Sequence, residues 1–299
     1  MTKKINAHLE GRDPRTGLLR GEDLTHKVLS TFNECAVKFD VQTKGRIPYS
    51  VILFDVDYFK AINDIMGYSY GNTALRGIGE VLQNLESRKE FVGVLGRYGG
   101  EEFLIALPYS QTRRAKYIAD EVREIIENYS FLDPKTQKRS LKKFITASFG
   151  VSTANIADLM EKIKDIPEEK RKDELHKIFA ELMETSTCAL EYAKFMGKNR
   201  VDVFSRYLEQ EMRNLNKIRN FYFLNSSKMP RELKDVFGSG YCKKNPDIAS
   251  RIKKHFKIIR KEINLRDTRT QALFADNLYR LVSEKADKRE FLEFIQKFY

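Results

Sequence analysis

Tryptophan is absent from the 299 residues, and cysteine and histidine are scarce, with three and four copies. Cys35, Cys188 and Cys242 stand far apart and match no redox or zinc spacing, which excludes a disulfide-stapled scaffold and suits reduced thiols in a cytosolic protein. His26, His176 and His255 share no spacing suited to a metal either, so surface or packing roles are expected for them. No segment approaches the roughly 18 apolar residues of a membrane span, and MTKKINAHLEG lacks the apolar run of a signal peptide. A soluble, cytoplasmic protein without a membrane partner is expected. Acid is in short supply too: the formal net charge is +12, which points to an anionic partner. The surplus is uneven, because residues 205–299 hold 22 Lys/Arg against 12 Asp/Glu and the rest is close to neutral.

Within those limits the chain has 41% hydrophobic residues, enough for a sizeable core, and its length suits one large or two small domains. Its most informative stretch is GRYGGEEFLI, Gly96 to Ile105. Val92 and Val94 on one side and Phe103, Ile105 and Leu107 on the other alternate with the period of half-buried strands, joined by Gly99 and Gly100 as a hairpin turn. Glycines let the backbone approach a bulky ligand such as a phosphate, whereas the neighbouring acids would repel one unless a cation intervened. Glu101 and Glu102 therefore read as holders of a divalent ion that in turn holds a nucleotide. The plain alternative is an ordinary acidic surface turn.

A second acidic point lies at the end of the apolar run Val51 to Phe54, where Asp55 and Asp57 alternate and so share a face before a short helix begins. Two acidic clusters, one at a strand end and one in a turn, fit two-metal nucleotidyl transfer. For Asp57 a helix-capping role weighs equally with a metal role. Helices are expected over Glu22 to Phe39, Asn72 to Arg88, Thr112 to Tyr129 and Thr185 to Met196, and a central strand over Phe144 to Val151. The mixed charges between Asn155 and Glu184 read as a solvated helical extension. Beyond Phe204, at least three further helices are marked by Tyr207, Met212, Leu215, Ile218 and Tyr222, by Ile248 to Ile263, and by Leu273 to Val282, with Pro230 and the glycines at 238 and 240 between the first two.

Six segments then resemble one family, in its order: DPRTGLL (13–19), FDVDYFKAIND (54–64), GYSYGN (67–72), RYGGEEF (97–103), TASFGVS (146–152) and CALEYAKFMGKNRV (188–201). They are similar to the GGDEF domain of diguanylate cyclases, in its GGEEF form, over roughly Asp13 to Phe204. The resemblance implies an α+β fold, a sheet like the polymerase palm and the nucleotide cyclases, with helices on one side. It sets residues 1–204 as the cyclase-like domain and 205–299 as a basic all-α region of unknown role. Only twelve residues precede Asp13, so no N-terminal sensor domain is expected.

The implied reaction joins two GTP into cyclic di-GMP and pyrophosphate, each 3′-hydroxyl attacking the other's α-phosphate across a homodimer. By the resemblance, Asp55, Glu101 and the carbonyl of Val56 hold two Mg²⁺ or Mn²⁺ ions per site, Glu101 helps deprotonate the hydroxyl, and Glu102 supports the second metal or the turn. Tyr58, Phe59 and Lys60 offer backbone N–H groups at a helix start to the phosphates. Lys194 and Lys198, four apart on the late helix, would reach the same triphosphate; the family usually has Arg where Lys198 stands. Guanine is read by an Asn, here Asn63, and by an Asp whose place is taken by Asn72. A carboxylate accepts both guanine N1–H and N2–H, whereas an amide adds a donor, so ATP use and a mixed cyclic GMP-AMP product enter as an alternative. GTP stays favoured because Asn63 remains and an amide can rotate or use a water. The family's inhibitory RxxD pair is replaced by Glu90 and Gly93, so no inhibitory site is expected. A catalytically idle nucleotide- or partner-binding module is the other alternative. The tail is expected to form a helical bundle that docks on the cyclase, pairs two copies or meets a protein partner; with no recognition motif, nucleic acid is an unlikely partner.

Overall fold

The computed structural model describes residues 11–37, 46–132, 134–136, 139–141, 145–196, 198–210 and 212–213. Apart from the first residues after Phe204, the tail helices expected from the sequence lie outside the described residues, as do Cys242 and His255. A six-stranded sheet is built from β1 (Leu19–Arg20), β2 (Pro48–Val56), β3 (Val94–Gly99), β4 (Glu102–Pro108), β7 (Ala147–Asn155) and β8 (Val201–Val203), in the order β1-β3-β4-β2-β7-β8. Its four inner strands are antiparallel, and the two short edge strands pair in parallel with β3 and β7. A small ribbon, β5 (Phe131–Leu132) with β6 (Arg139–Leu141), stands apart.

The helices are α1 (Gly21–Val37), α2 (Phe59–Met66), α3 (Tyr68–Glu86), α4 (Thr112–Asn128), α5 (Ile156–Ile163) and α6 (Glu168–Phe195). They cover both faces of the sheet, not one side as expected. Ile52, Phe54 and Val56 of β2 point into a core with α2, α3 and α4, while Tyr49, Val51 and Leu53 point into a second core with α1, α5 and α6. The period of two is therefore real, but both of its phases are apolar. For the same reason β4 is buried from Phe103 to Leu107 rather than half-buried. At the centre Phe54 stacks between Phe103 and Phe149, with ring centroids 5.0 and 4.6 Å away.

Three expected boundaries move. Val92 is exposed and precedes β3, so the hairpin strand starts at Val94. Helix α3 begins at Tyr68, four residues before the expected start, and Gly71 within it is closely packed: a Cβ there would lie 2.0 Å from the Asn63 side-chain oxygen. The charged stretch is helical on both sides of a break at 164–167, and its second part forms one 28-residue helix with the segment carrying Lys194. Nor is it only solvated. Leu175, Phe179 and Leu182 are buried, and Phe179 meets Phe32 of α1 edge-on at 5.4 Å.

After β8 the chain turns helical at 206–210, and Leu208 and Met212, four apart, bury against Ala189 and Tyr192 of α6. Tyr207, expected on the apolar face with Met212, is 69% exposed. Among the described residues no helix is long and apolar enough to cross a membrane.

Candidate active site

The pairing of β2 with β4 brings the two acidic points together. Asp55 lies opposite Glu102 in the register, and the Val56 N–H donates to the Glu101 carbonyl at 3.3 Å. Of the two turn glycines, Gly100 takes a positive φ of 23°, while Gly99 ends β3 opposite Glu102. Glu101 is half-buried beside Asp55 and Glu102 is exposed.

The turn has a support to which sequence reasoning gave no role. Arg97 donates to the Gly100 carbonyl through Nε (2.8 Å) and Nη2 (2.5 Å), and through Nη1 to Asp13 at 2.9 Å. Asp13 in turn accepts from the N–H groups of Arg15 and Thr16 and from the Thr16 hydroxyl. Burial raises the Asp13 pKa, but those hydrogen bonds and Arg97 outweigh it and hold the carboxyl below its usual value. The Asp of DPRTGLL and the Arg of RYGGEEF were the available signal.

Asp55 shows the opposite balance. Burial pushes its pKa up to about 7, helped by the negative charges of Glu101 and Asp57, while Lys194, 3.4 Å away, opposes the rise. Lys194 also pairs with Glu191 at 3.0 Å; burial alone would lower its pKa, but the two carboxylates raise it. Both shifts are compatible because one ammonium serves several acids. This excess of negative charge fits a cation. No group of three or more His, Cys, Asp or Glu side chains placed to hold a metal occurs among the described residues. Two carboxylates with backbone and phosphate oxygens are nonetheless a sufficient donor set for Mg²⁺, which keeps waters and substrate phosphates among its ligands.

The Asp57 carboxylate is engaged by protein donors, and Tyr58 is the N-cap of α2. Asp57 is 2% exposed and accepts from the Ser148 hydroxyl (2.6 Å), the Thr146 hydroxyl (2.7 Å) and the Asn199 N–H (2.9 Å). Helix α2 does start where the phosphate-binding segment was expected, with Tyr58 as its N-cap at φ 56° and Phe59 and Lys60 in the first turn. Lys198 is not on the late helix with Lys194. Helix α6 ends at Phe195, and Lys198 lies beyond it with φ 63°, its N–H bonded to the Ala193 carbonyl at 3.0 Å. The ammonium still reaches this side, 4.8 Å from the centre of the Tyr58 ring. Asn63 packs on Gly71, the residue before half-buried Asn72.

Residues 32–200 match the family described as "Diguanylate cyclase, GGDEF domain", more than half of the chain. The chain belongs to the GGDEF family. Among curated relatives, Diguanylate cyclase VdcA of Vibrio cholerae is 37% identical over 115 residues, 38% of this chain and 32% of that protein. Response regulator PleD of Caulobacter vibrioides is 35% identical over 133 residues, 44% of this chain and 27% of that one. The matched part is thus about a third or less of each relative's length. The solved coiled coil and GGDEF domain of DgcB from Caulobacter crescentus, in complex with c-di-GMP, superposes with a TM-score of 0.51 at 20% identity, over 68% of this chain and 93% of that chain. At that identity the likeness concerns the GGDEF fold alone.

Proposed function

We propose that this GGDEF domain is an active diguanylate cyclase: two chains, each holding one GTP, face each other and form cyclic di-GMP with release of two pyrophosphates. The observation that carries the reading is the approach of Glu101 to the end of β2, where its carbonyl accepts from the Val56 N–H and its charge acts on Asp55, with Lys194 as the internal counter-charge. Asp55, Glu101 and the Val56 carbonyl would hold Mg²⁺ or Mn²⁺, which would neutralise the triphosphate and polarise the α-phosphate. The N–H groups at the start of α2, with Lys60, Lys194 and Lys198, bind and orient the phosphates. Glu101 takes the proton of the attacking 3′-hydroxyl, and Glu102 supports the turn. Little covalent chemistry is left to the protein, so positioning and charge neutralisation dominate the rate.

Asn63 and Asn72 form the base-reading edge. Because both are amides, a second substrate reading stands beside the first, with ATP accepted opposite GTP. Mass spectrometry of products from an equimolar GTP and ATP mixture with Mg²⁺ decides: mainly cyclic di-GMP is expected. Mainly mixed dinucleotide would replace the substrate assignment. Tight GTP binding with no dinucleotide would make the chain a binding module instead.

A further inference from the structure

The loop between α6 and β8 holds two consecutive non-glycine residues in the left-handed region, Lys198 at φ 63° and Asn199 at φ 44°. Such backbone is disfavoured for a lysine, less so for an asparagine, and two in a row persist where their surroundings over-determine them. Here they do: the Lys198 N–H is held by the Ala193 carbonyl, and three further hydrogen bonds converge on Asn199. Its N–H donates to buried Asp57 at 2.9 Å, its side-chain amide donates to Glu127 at 2.9 Å, and its side-chain oxygen accepts from Arg123 at 3.2 Å. Arg123 and Glu127 are themselves paired at 2.8 Å on α4, and Asp57 is fixed from β7 and the residue before it by the hydroxyls of Ser148 and Thr146.

A core helix and the sheet thus clamp one loop residue from two sides, and the neighbour of that residue aims its ammonium across the Tyr58 ring at the start of α2. A solvated lysine at a helix end needs no such clamp. We infer that Asn199, locked by Asp57, Arg123 and Glu127, is a positioning residue that sets Lys198 over the phosphate-binding start of α2, so that substrate grip depends on Asn199 through Lys198. Asp57 belongs to this latch instead of the metal site. The inference rests on the reading of Lys198 as a phosphate contact, but not on turnover.

The test is a double-substitution cycle read by equilibrium binding of GTP with Mg²⁺ in the full chain. Asn199→Ala removes both side-chain anchors and tolerates the left-handed backbone poorly; Asn199→Gly removes the same anchors but accepts that backbone and keeps the N–H to Asp57. Each is expected to weaken GTP binding about tenfold, as is Lys198→Met, the scale of one lost charge-assisted contact. Combining Asn199→Gly with Lys198→Met should weaken binding no further than Lys198→Met alone. Independent, multiplying losses would overturn the inference, as would unchanged binding in Asn199→Gly. Should Asn199→Ala fail to fold, the glycine variant carries the cycle. If the wild-type chain binds GTP with this coupling yet makes no dinucleotide, the cyclase reading fails and the positioning role stands.

Discussion

Asp55 sits at about 7 rather than at its usual 3.8, because burial and two neighbouring acids disfavour its charge. Between those two values the folded chain keeps a proton that the unfolded chain has released. This group's contribution to stability is therefore present below about pH 4 and falls as pH rises to about 7. In metal-free buffer at pH 8, Asp55→Asn should raise Tm, and at pH 4 it should change Tm little. A lower Tm at pH 8 would show that the carboxylate stabilises the fold instead of straining it. Arg97 is the other residue whose loss should be felt, since Asp13 and the Gly100 carbonyl would each lose a partner. Arg97→Ala is expected to cost about 2 kcal/mol by urea unfolding, and Arg97→Lys should recover only part of it because one ammonium replaces a fork. An unchanged urea midpoint for Arg97→Ala would dismiss the support it gives the turn.

At the level of elements, the helix that contains Lys194 is long because its charged first half has a buried stripe, Leu175, Phe179 and Leu182. Phe179→Ala should accordingly destabilise the protein by about 3 kcal/mol, as a core truncation does, whereas a solvated extension would lose less than about 0.5 kcal/mol. Phe54→Ala, at the centre of the aromatic stack, should cost about 3–5 kcal/mol in the same assay. The sequence revealed β2, β4 and the acids at their ends because period-two apolar runs and a double glycine are local signals. It was silent on the second covered face, since β4 shows the same apolar letters whether one or both of its sides are packed. It also placed Lys198 on a helix that ends at Phe195, for i,i+4 spacing says nothing of where a helix stops. Asp57 and Asn199 stand 142 positions apart, and no spacing rule connects them.

For the molecule as a whole, the proposed mechanism with one nucleotide per chain would make the reaction second order in protein while the chains are mostly monomeric. Diluting the enzyme fourfold should then lower the initial rate about sixteenfold; a strictly proportional fall would point to a dimer already complete. The positive surplus of residues 205–299 attracts anions. The described start of that region already packs on α6 through Leu208 and Met212, next to the segment that bears Lys194. A tail that moves that helix would act on Asp55 through its ion pair.

Asp55 at the end of β2 and Glu101 in the β3–β4 turn are proposed to share a bound cation. Mn²⁺ binding in the presence of GTP, followed by the loss of the free-ion electron paramagnetic resonance signal, measures this directly. The wild-type chain should bind Mn²⁺ about tenfold more tightly at pH 8 than at pH 6, as the Asp55 proton leaves, and Asp55→Asn and Glu101→Gln should each reduce the affinity at least tenfold while the fold is kept. Mn²⁺ held equally well by either variant would place the ion elsewhere and contradict the assignment of this site.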